Sequence, residues 1–247
     1  MSDLGAREIV WTPDRVARLW DYYGTNRAYA AQYFSQHSGA AILGEVDARL
    51  PLAGREVVDF GCGPGFMLAH LLGRGVACRG LDFSRESVAT AQRRFGDHPL
   101  FRGAVHVEKM PLPIADGAVD LMMLVEVVEH LLDDQVAPTL AEITRVVRPG
   151  GDIVVTVPHA EDLEASKVLC PECGAVFHRW QHQRSFTPAT LSTLFRGAGF
   201  AEVYCAPTTF APRSALGLLR RLRRRVLGRP EPAAPFLIYM GRRGGGR

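Results

Sequence analysis

The sequence predicts an α/β protein: an open, mostly parallel sheet with helices on both faces. Three stretches carry that expectation. Val57-Val58-Asp59-Phe60 is an apolar, β-branched run that ends on an acid. The turn Gly61-Cys62-Gly63-Pro64-Gly65 follows it, and then Phe66–Leu72, whose apolar residues recur at helical spacing. Ala77–Asp82 repeats the pattern of a strand closed by an acid. Ala118–Val125 is almost unbroken in its apolar character, as befits a central parallel strand covered on both faces.

Composition bounds the rest. A chain of 247 residues suits one domain with insertions. Its 47% apolar and 22% charged residues are ordinary for a soluble globular protein. A net charge of +3 excludes a polyelectrolyte binder as a whole, and the basic excess is local, around the Arg-rich 220s and the last residues. No apolar run approaches the roughly 20 residues of a membrane span. The polar start Met1-Ser2-Asp3-Leu4 does not look like a signal peptide. A reducing, cytoplasmic setting is therefore expected, in which the pair Cys170/Cys173 reads as metal ligands rather than a disulfide.

Taken in order, Thr12-Pro13-Asp14 is a helix start, with Thr12 as N-cap and Pro13 in the first turn. Val16, Leu19, Trp20 and Tyr23 follow at helical spacing, then Tyr29, Tyr33 and Phe34, then a helix over Ala40–Leu50. Ser84 caps a helix over Arg85–Phe95. Val105–Val107 is a short strand, and Asp116-Gly117 a turn before the central strand. A helix over Leu140–Val147 stops at the turn Arg148-Pro149-Gly150-Gly151, and Ile153–Pro158 is the fifth strand. Ala189–Ala198 is a helix closed by Gly199, and Phe200–Cys205 and Phe236–Met240 are the last strands. Between them, Ala215, Leu218, Leu219, Leu222 and Val226 share one face of a helix whose other face is Arg. Such a helix suits a membrane surface or an anionic partner, or else packs its Leu face on the sheet. Arg242–Arg247 reads as a disordered tail.

The turn after the first strand has the spacing G-x-G-x-G, which is neither the dinucleotide fingerprint nor a phosphate-cradling loop. That spacing and Asp59 argue against an NAD-dependent oxidoreductase. Asp59 offers a carboxylate suited to a cationic amine, and Asp82 one suited to ribose hydroxyls. An amine and a ribose without phosphate describe S-adenosylmethionine (SAM). D-F-G-C-G-P-G, G-L-D-F-S, M-P-L-P, D-L-M-M-L-V-E-V-V-E-H and V-R-P-G-G occur in that order, and over residues 50–160 the chain resembles the class I SAM-dependent methyltransferases. The resemblance implies a Rossmann-like sheet of seven strands, the last antiparallel at the edge. It also implies leading helices over 1–50 that cap the cofactor, a SAM-binding core over 51–165, a Cys/His insertion over 166–185, and a C-terminal part over 186–247 with the basic helix at 214–228. The cofactor residues so implied are Asp59, Gly61, Cys62, Gly63, Gly65, Asp82, Phe83, Val107 and Val125. His106 and Val107 stand where the family usually carries an acid-Ala pair at the adenine, so only the backbone of Val107 is expected to serve there.

Two metal readings compete. Cys170, Cys173, His178 and His182 follow C-x2-C-x4-H-x3-H, which suits tetrahedral zinc and resembles a zinc knuckle. Glu126, Glu129 and His130 close the central strand, and E-V-V-E-H resembles ubiquinone-pathway O-methyltransferases and small-RNA 2′-O-methyltransferases, where the acids and His bind a metal such as Mg²⁺ or Mn²⁺. There His182, in a segment like the family's H-x-R-x-F-T-P, completes the set; one His182 cannot serve both metals. His130, and after it His159, are the candidate bases, since neutral imidazole accepts protons near pH 7. O-methylation of a small or lipid-linked hydroxyl is the expected activity, with peripheral membrane contact through the Arg helix. An RNA 2′-O-methyltransferase and a non-catalytic zinc-bearing module are the alternatives.

Overall fold

A computed structural model describes residues 5–210 and 233–245. The helix expected at 214–228, and the tail beyond 245, lie outside the described residues.

Strand β1 (Arg7–Glu8) leads into α1 (Pro13–Thr25), a 3-10 segment (Arg27–Gln32) and α2 (Phe34–Asp47). The alternating core follows: β2 (Glu56–Phe60), α3 (Phe66–Leu72), β3 (Ala77–Asp82), α4 (Arg85–Phe95), β4 (Phe101–His106) and β5 (Val119–Val125). After a 3-10 turn (Val128–His130) come α5 (Asp133–Val146), β6 (Val147–Pro158), β7 (Lys167–Leu169), β8 (Ala175–His178), α6 (Pro188–Gly197), β9 (Phe200–Thr208) and β10 (Phe236–Arg243). The caps are where the sequence puts them. Thr12 Oγ1 accepts from the Arg15 amide and Ser84 Oγ from the Ser87 amide, at 3.4 and 3.2 Å.

The seven-stranded sheet has the order β4-β3-β2-β5-β6-β10-β9. Strands β2 to β6 run parallel, and β10 is antiparallel to both β6 and β9. The order reverses between β2 and β5, so the crevice for a ligand opens beyond their carboxyl ends. Side chains of β5 alternate between the two faces. Leu121, Met123 and Val125 join the core under α2, α3 and α4, whereas Met122 and Leu124 join the core under α5 and α6. All five are buried, which is why this strand reads as continuously apolar.

Several expectations are corrected. The last strand is not the edge: β10 inserts between β6 and β9, and β9 takes the edge. Arg242 and Arg243 are not tail but strand, and Arg242 Nε sits 2.8 Å from the buried carboxylate of Asp152, which also binds Arg55 at 2.8 Å. Arg148–Gly151 is part of β6, with a shift of register opposite Val119 and Leu121, instead of a free turn. Helix α5 starts earlier than expected, at Asp133, with Pro138 inside it. Residues 166–185 are not a compact knuckle: β7 and β8 form an antiparallel hairpin, and β1 pairs parallel to β8.

Candidate active site

The crevice is floored by the turn after β2. Gly61, Gly63 and Gly65 all have positive φ. At Gly61 (φ 79°) a Cβ would lie 2.5 Å from Val127 Cγ2, and at Gly65 (φ 89°) 2.7 Å from the Phe95 ring. Only glycine fits both demands at these two positions. Below the turn Asp59 is 1% exposed, and neither carboxylate oxygen has a hydrogen-bond partner. Burial, helped by Asp82, pushes its pKa up to about 8. Asp82 is better supported: its oxygens accept from the amides of Gly63 and Ser84, both at 2.7 Å. Phe83 stays half exposed, edge-on to Phe60 at 5.8 Å. The amide of Val107 is already given to the Asp82 carbonyl at 2.8 Å, so its carbonyl is the part left over. Cys62 turns its thiol into the core, where a Cβ on Gly80 would lie 2.6 Å from the sulfur, and the Cys62 amide goes to Leu81. Val125 is 9% exposed at the end of β5.

Helix α1 closes over this turn. Ser84 Oγ donates to Asp21 Oδ1 at 2.7 Å, and Tyr33 lies against Gly63. A cavity of about 240 Å³ opens between Tyr23, Tyr33, Pro64, Phe66 and Arg94.

Beside the crevice, the residues after β5 gather buried acids and imidazoles. Glu126 adopts a left-handed backbone (φ 54°), costly for a side chain with a Cβ. Its amide donates to the Thr156 carbonyl at 3.0 Å, and Oε1 accepts from Thr156 Oγ1 at 2.8 Å. Burial pushes its pKa up to about 8 against the lowering bond from Thr156. Glu129 is fully buried with both oxygens unpartnered, and burial together with Glu126 raises its pKa well above the usual range. His130 Nε2 lies 3.8 Å from Glu129, and Nδ1 is buried without a partner. Burial, and His182 nearby, hold the His130 ring well below the ordinary imidazole pKa, hence neutral. The Trp20 and His182 rings both meet it at 4.8 Å.

The hairpin clamps this turn from outside. Gln181 Nε2 donates to the His130 carbonyl at 2.7 Å, and the Gln183 amide donates to the Glu129 carbonyl at 2.7 Å. Arg184 donates to the Val128 and Leu131 carbonyls. Ligand atoms of Glu129, His130 and His182 lie within 4.8 Å of one another, as do those of Glu161, His178 and His182. Burial tends to raise the pKa of Glu161, but the bond from His182 and both nearby imidazoles outweigh it and hold it low.

The four knuckle residues do not converge. Cys170 and Cys173 belong to neither group. They sit at the turn of the hairpin, where the backbone amides of Cys173 and Glu172, and after them the Cys173 thiol, hold the Cys170 pKa down. His178 pairs with Lys167 at the other end. A strand rises about 3.3 Å per residue, so β8 carries His178 far from the thiols. His159 Nδ1 donates to the Ala234 carbonyl at 2.9 Å, which leaves Nε2 as its bare nitrogen. Sequence reasoning missed Glu161, Gln181, Thr156 and Asp21. None has a spacing signal, since contacts between distant segments bring each one in: helix α1 for Asp21, the pairing of β6 with β5 for Thr156, and loops for Glu161 and Gln181.

Comparison with known proteins bears on the chemistry. Residues 58–155 match the model of a methyltransferase domain. A malonyl-[acyl-carrier protein] O-methyltransferase from Erwinia billingiae is 30% identical over 192 residues, 72% of each chain. The chain belongs to the class I SAM-dependent methyltransferase family. A ubiquinone biosynthesis O-methyltransferase from Thiobacillus denitrificans is 26% identical, over 86% of this chain and 90% of its own. A 37.1 kDa protein of transposon TN4556 from Streptomyces fradiae is 32% identical over 90% of this chain, which spans only 64% of that relative. Among solved structures, a methyltransferase from Haloferax volcanii in complex with its Trm112 activator has a TM-score of 0.65 at 23% identity, over 91% of this chain and 97% of its own. A Burkholderia thailandensis N1-methyltransferase holding S-adenosylhomocysteine has a TM-score of 0.59 at 20% identity, over 96% and 92%. These two likenesses speak for the fold.

Proposed function

We propose that this methyltransferase moves the methyl group of SAM to a hydroxyl of a small or lipid-linked acceptor, at a site where a divalent cation steadies the acceptor oxygen. The observation that carries the second half is Glu129. Its carboxylate is fully buried with neither oxygen hydrogen-bonded, 3.8 Å from His130 Nε2, and Nδ1 of the same ring is buried without a partner. A buried carboxylate without a partner is costly, and a cation removes that cost. The relatives named for O-methylation support the hydroxyl.

The residues fit both groups. For SAM, Asp59 supplies an unpaired carboxylate for its ammonium, and Asp82 the acid for its ribose. The turn Gly61–Gly65 would let backbone pass close beneath it, and Phe83, Val107 and Val125 would flank the adenine. SAM when bound supplies a methyl already electrophilic on a sulfonium. For the cation, Mg²⁺ or Mn²⁺, Glu129, His130 and His182 would be the ligands, while Glu126, outside that group and bonded to Thr156, would have to turn in to join them; the cation's chemistry would be to lower the pKa of an acceptor hydroxyl. The protein's share is to hold the acceptor in line with the methyl and take up one proton. A neutral His130 can take it. If the cation holds the His130 lone pair, His159 Nε2 is the remaining base. Trp20 packs on His130, Tyr23 on Trp20 and Trp180 on Tyr23, an aromatic run that borders that approach. All five cysteines are free, and no described helix is long and apolar enough to cross a membrane.

The test is a methyl-transfer assay on free and prenyl-bearing phenols, with amines and RNA as competing acceptors, with and without added Mg²⁺ or Mn²⁺. Cation-dependent methylation of phenols is expected. Turnover of amines or RNA alone, or turnover indifferent to cation, would overturn the reading.

A further inference from the structure

We propose that Glu161 is a positioning residue: it fixes the proton of His182 on Nδ1 and so presents Nε2, bare, to the Glu129/His130 site. This rests on reading that cluster as the acceptor site.

Four contacts carry it. Glu161 Oε2 lies 2.5 Å from His182 Nδ1, and Glu161 Oε1 lies 3.3 Å from His178 Nε2. Within the hairpin, His178 Nδ1 accepts two backbone amides, from Trp180 at 3.3 Å and His182 at 3.1 Å. A ring nitrogen that accepts N–H groups carries no proton of its own. In the neutral ring the proton of His178 is therefore on Nε2, facing Glu161. That settles the role of the second Glu/His group. The His178 lone pair is engaged by backbone and its other nitrogen carries hydrogen, 3.3 Å from Glu161 Oε1, so His178 lies against Glu161 and is not a metal ligand.

Glu161, steadied on one oxygen, takes the Nδ1–H of His182 with the other. The lone pair of His182 is then on Nε2. The His178 and His182 rings stack at 4.5 Å and 23°, which fixes the plane of the second ring. Carboxylates that hold the far nitrogen of a ligating imidazole set its tautomer and raise its basicity. His178, Glu161 and His182 form such a chain, built by a loop and a hairpin that the E-x-x-E-H segment does not contain.

The test uses the full chain, with Glu161→Ala and Glu161→Gln. Histidine nitrogen NMR reads the tautomer of His182, and calorimetry reads Mn²⁺ and SAM binding. Glu161→Ala is expected to move the His182 proton off Nδ1 and to weaken Mn²⁺ about 10–100-fold, with SAM affinity unchanged as the check on folding. Glu161→Gln keeps an acceptor oxygen and is expected to retain the tautomer and most of the affinity. An unchanged His182 tautomer in Glu161→Ala would overturn the proposal. If the tautomer moves but wild type takes up no Mn²⁺, the positioning role stands and the cation reading falls.

Discussion

Gln181 gives its side-chain amide to the His130 carbonyl, 2.7 Å away, and takes the indole N–H of Trp20 on its carbonyl oxygen at 3.2 Å. One fully buried side chain thus ties the leading helix, the turn after the central strand and the hairpin together. Gln181 itself adopts a left-handed backbone (φ 62°), which only the surrounding contacts sustain.

Gln181→Ala leaves the Trp20 indole and the His130 carbonyl unpaired. A loss of about 1–3 kcal/mol of stability is expected. The His130 turn also loosens, so kcat should fall about 10–100-fold while SAM affinity holds. Chemical unfolding and a SAM titration check the two halves. A parallel loss of SAM binding would mean the clamp serves the cofactor instead.

Asp59 is expected to trade stability for binding. Its folded pKa, about 8, stands above the ordinary 3.8. A raised carboxylate contributes stability fully below the unfolded value and loses it as pH rises through the folded value. Asp59→Asn should therefore be more stable than wild type near pH 8, by about 1–3 kcal/mol, with little advantage below pH 4. It should lose SAM. If Asp59 pairs with the SAM ammonium, wild type should release about one proton on binding SAM at pH 7, read from calorimetry in buffers of differing ionisation heat. Equal release by Asp59→Asn would remove Asp59 from that role.

Gly61→Ala puts a methyl 2.5 Å from Val127 Cγ2 at a backbone angle that costs about 1–2 kcal/mol for an L side chain. SAM affinity should drop sharply. The double variant Gly61→Ala/Val127→Ala relieves the clash but not the angle, so thermal melting should show partial recovery only.

The metal readings separate by mutation. Cys170→Ser/Cys173→Ser should leave Mn²⁺ affinity unchanged, because neither thiol lies with the Glu/His groups. Glu129→Gln should weaken Mn²⁺ at least about tenfold while the apo fold gains stability, having lost a buried carboxylate. Mn²⁺ titration and melting curves decide. The reverse pattern would restore the cysteines as ligands.

The alternating core was legible from the sequence because its signals are local. Strand Glu56–Phe60, the Gly turn and helix Phe66–Leu72 each follow from neighbours a few residues apart, and two burying faces made β5 continuously apolar. Asp59, Asp82, Glu126, Glu129 and His130 could be named for the same reason: each sits where a strand or its turn ends. What tertiary structure alone decided is non-local. The place of β10 inside the sheet depends on which strands its hydrogen bonds find, and Asp152 drawing in Arg242 turned an expected tail into strand. The spacing C-x2-C-x4-H-x3-H counts residues but not direction. A knuckle coils all four ligands inward, whereas β8 extends and carries His178 and His182 away from the thiols to Glu161. Local periodicity settled the frame and the acids at its strand ends. Chain closure settled which imidazole each acid meets, because a contact between distant loops leaves no period in the sequence.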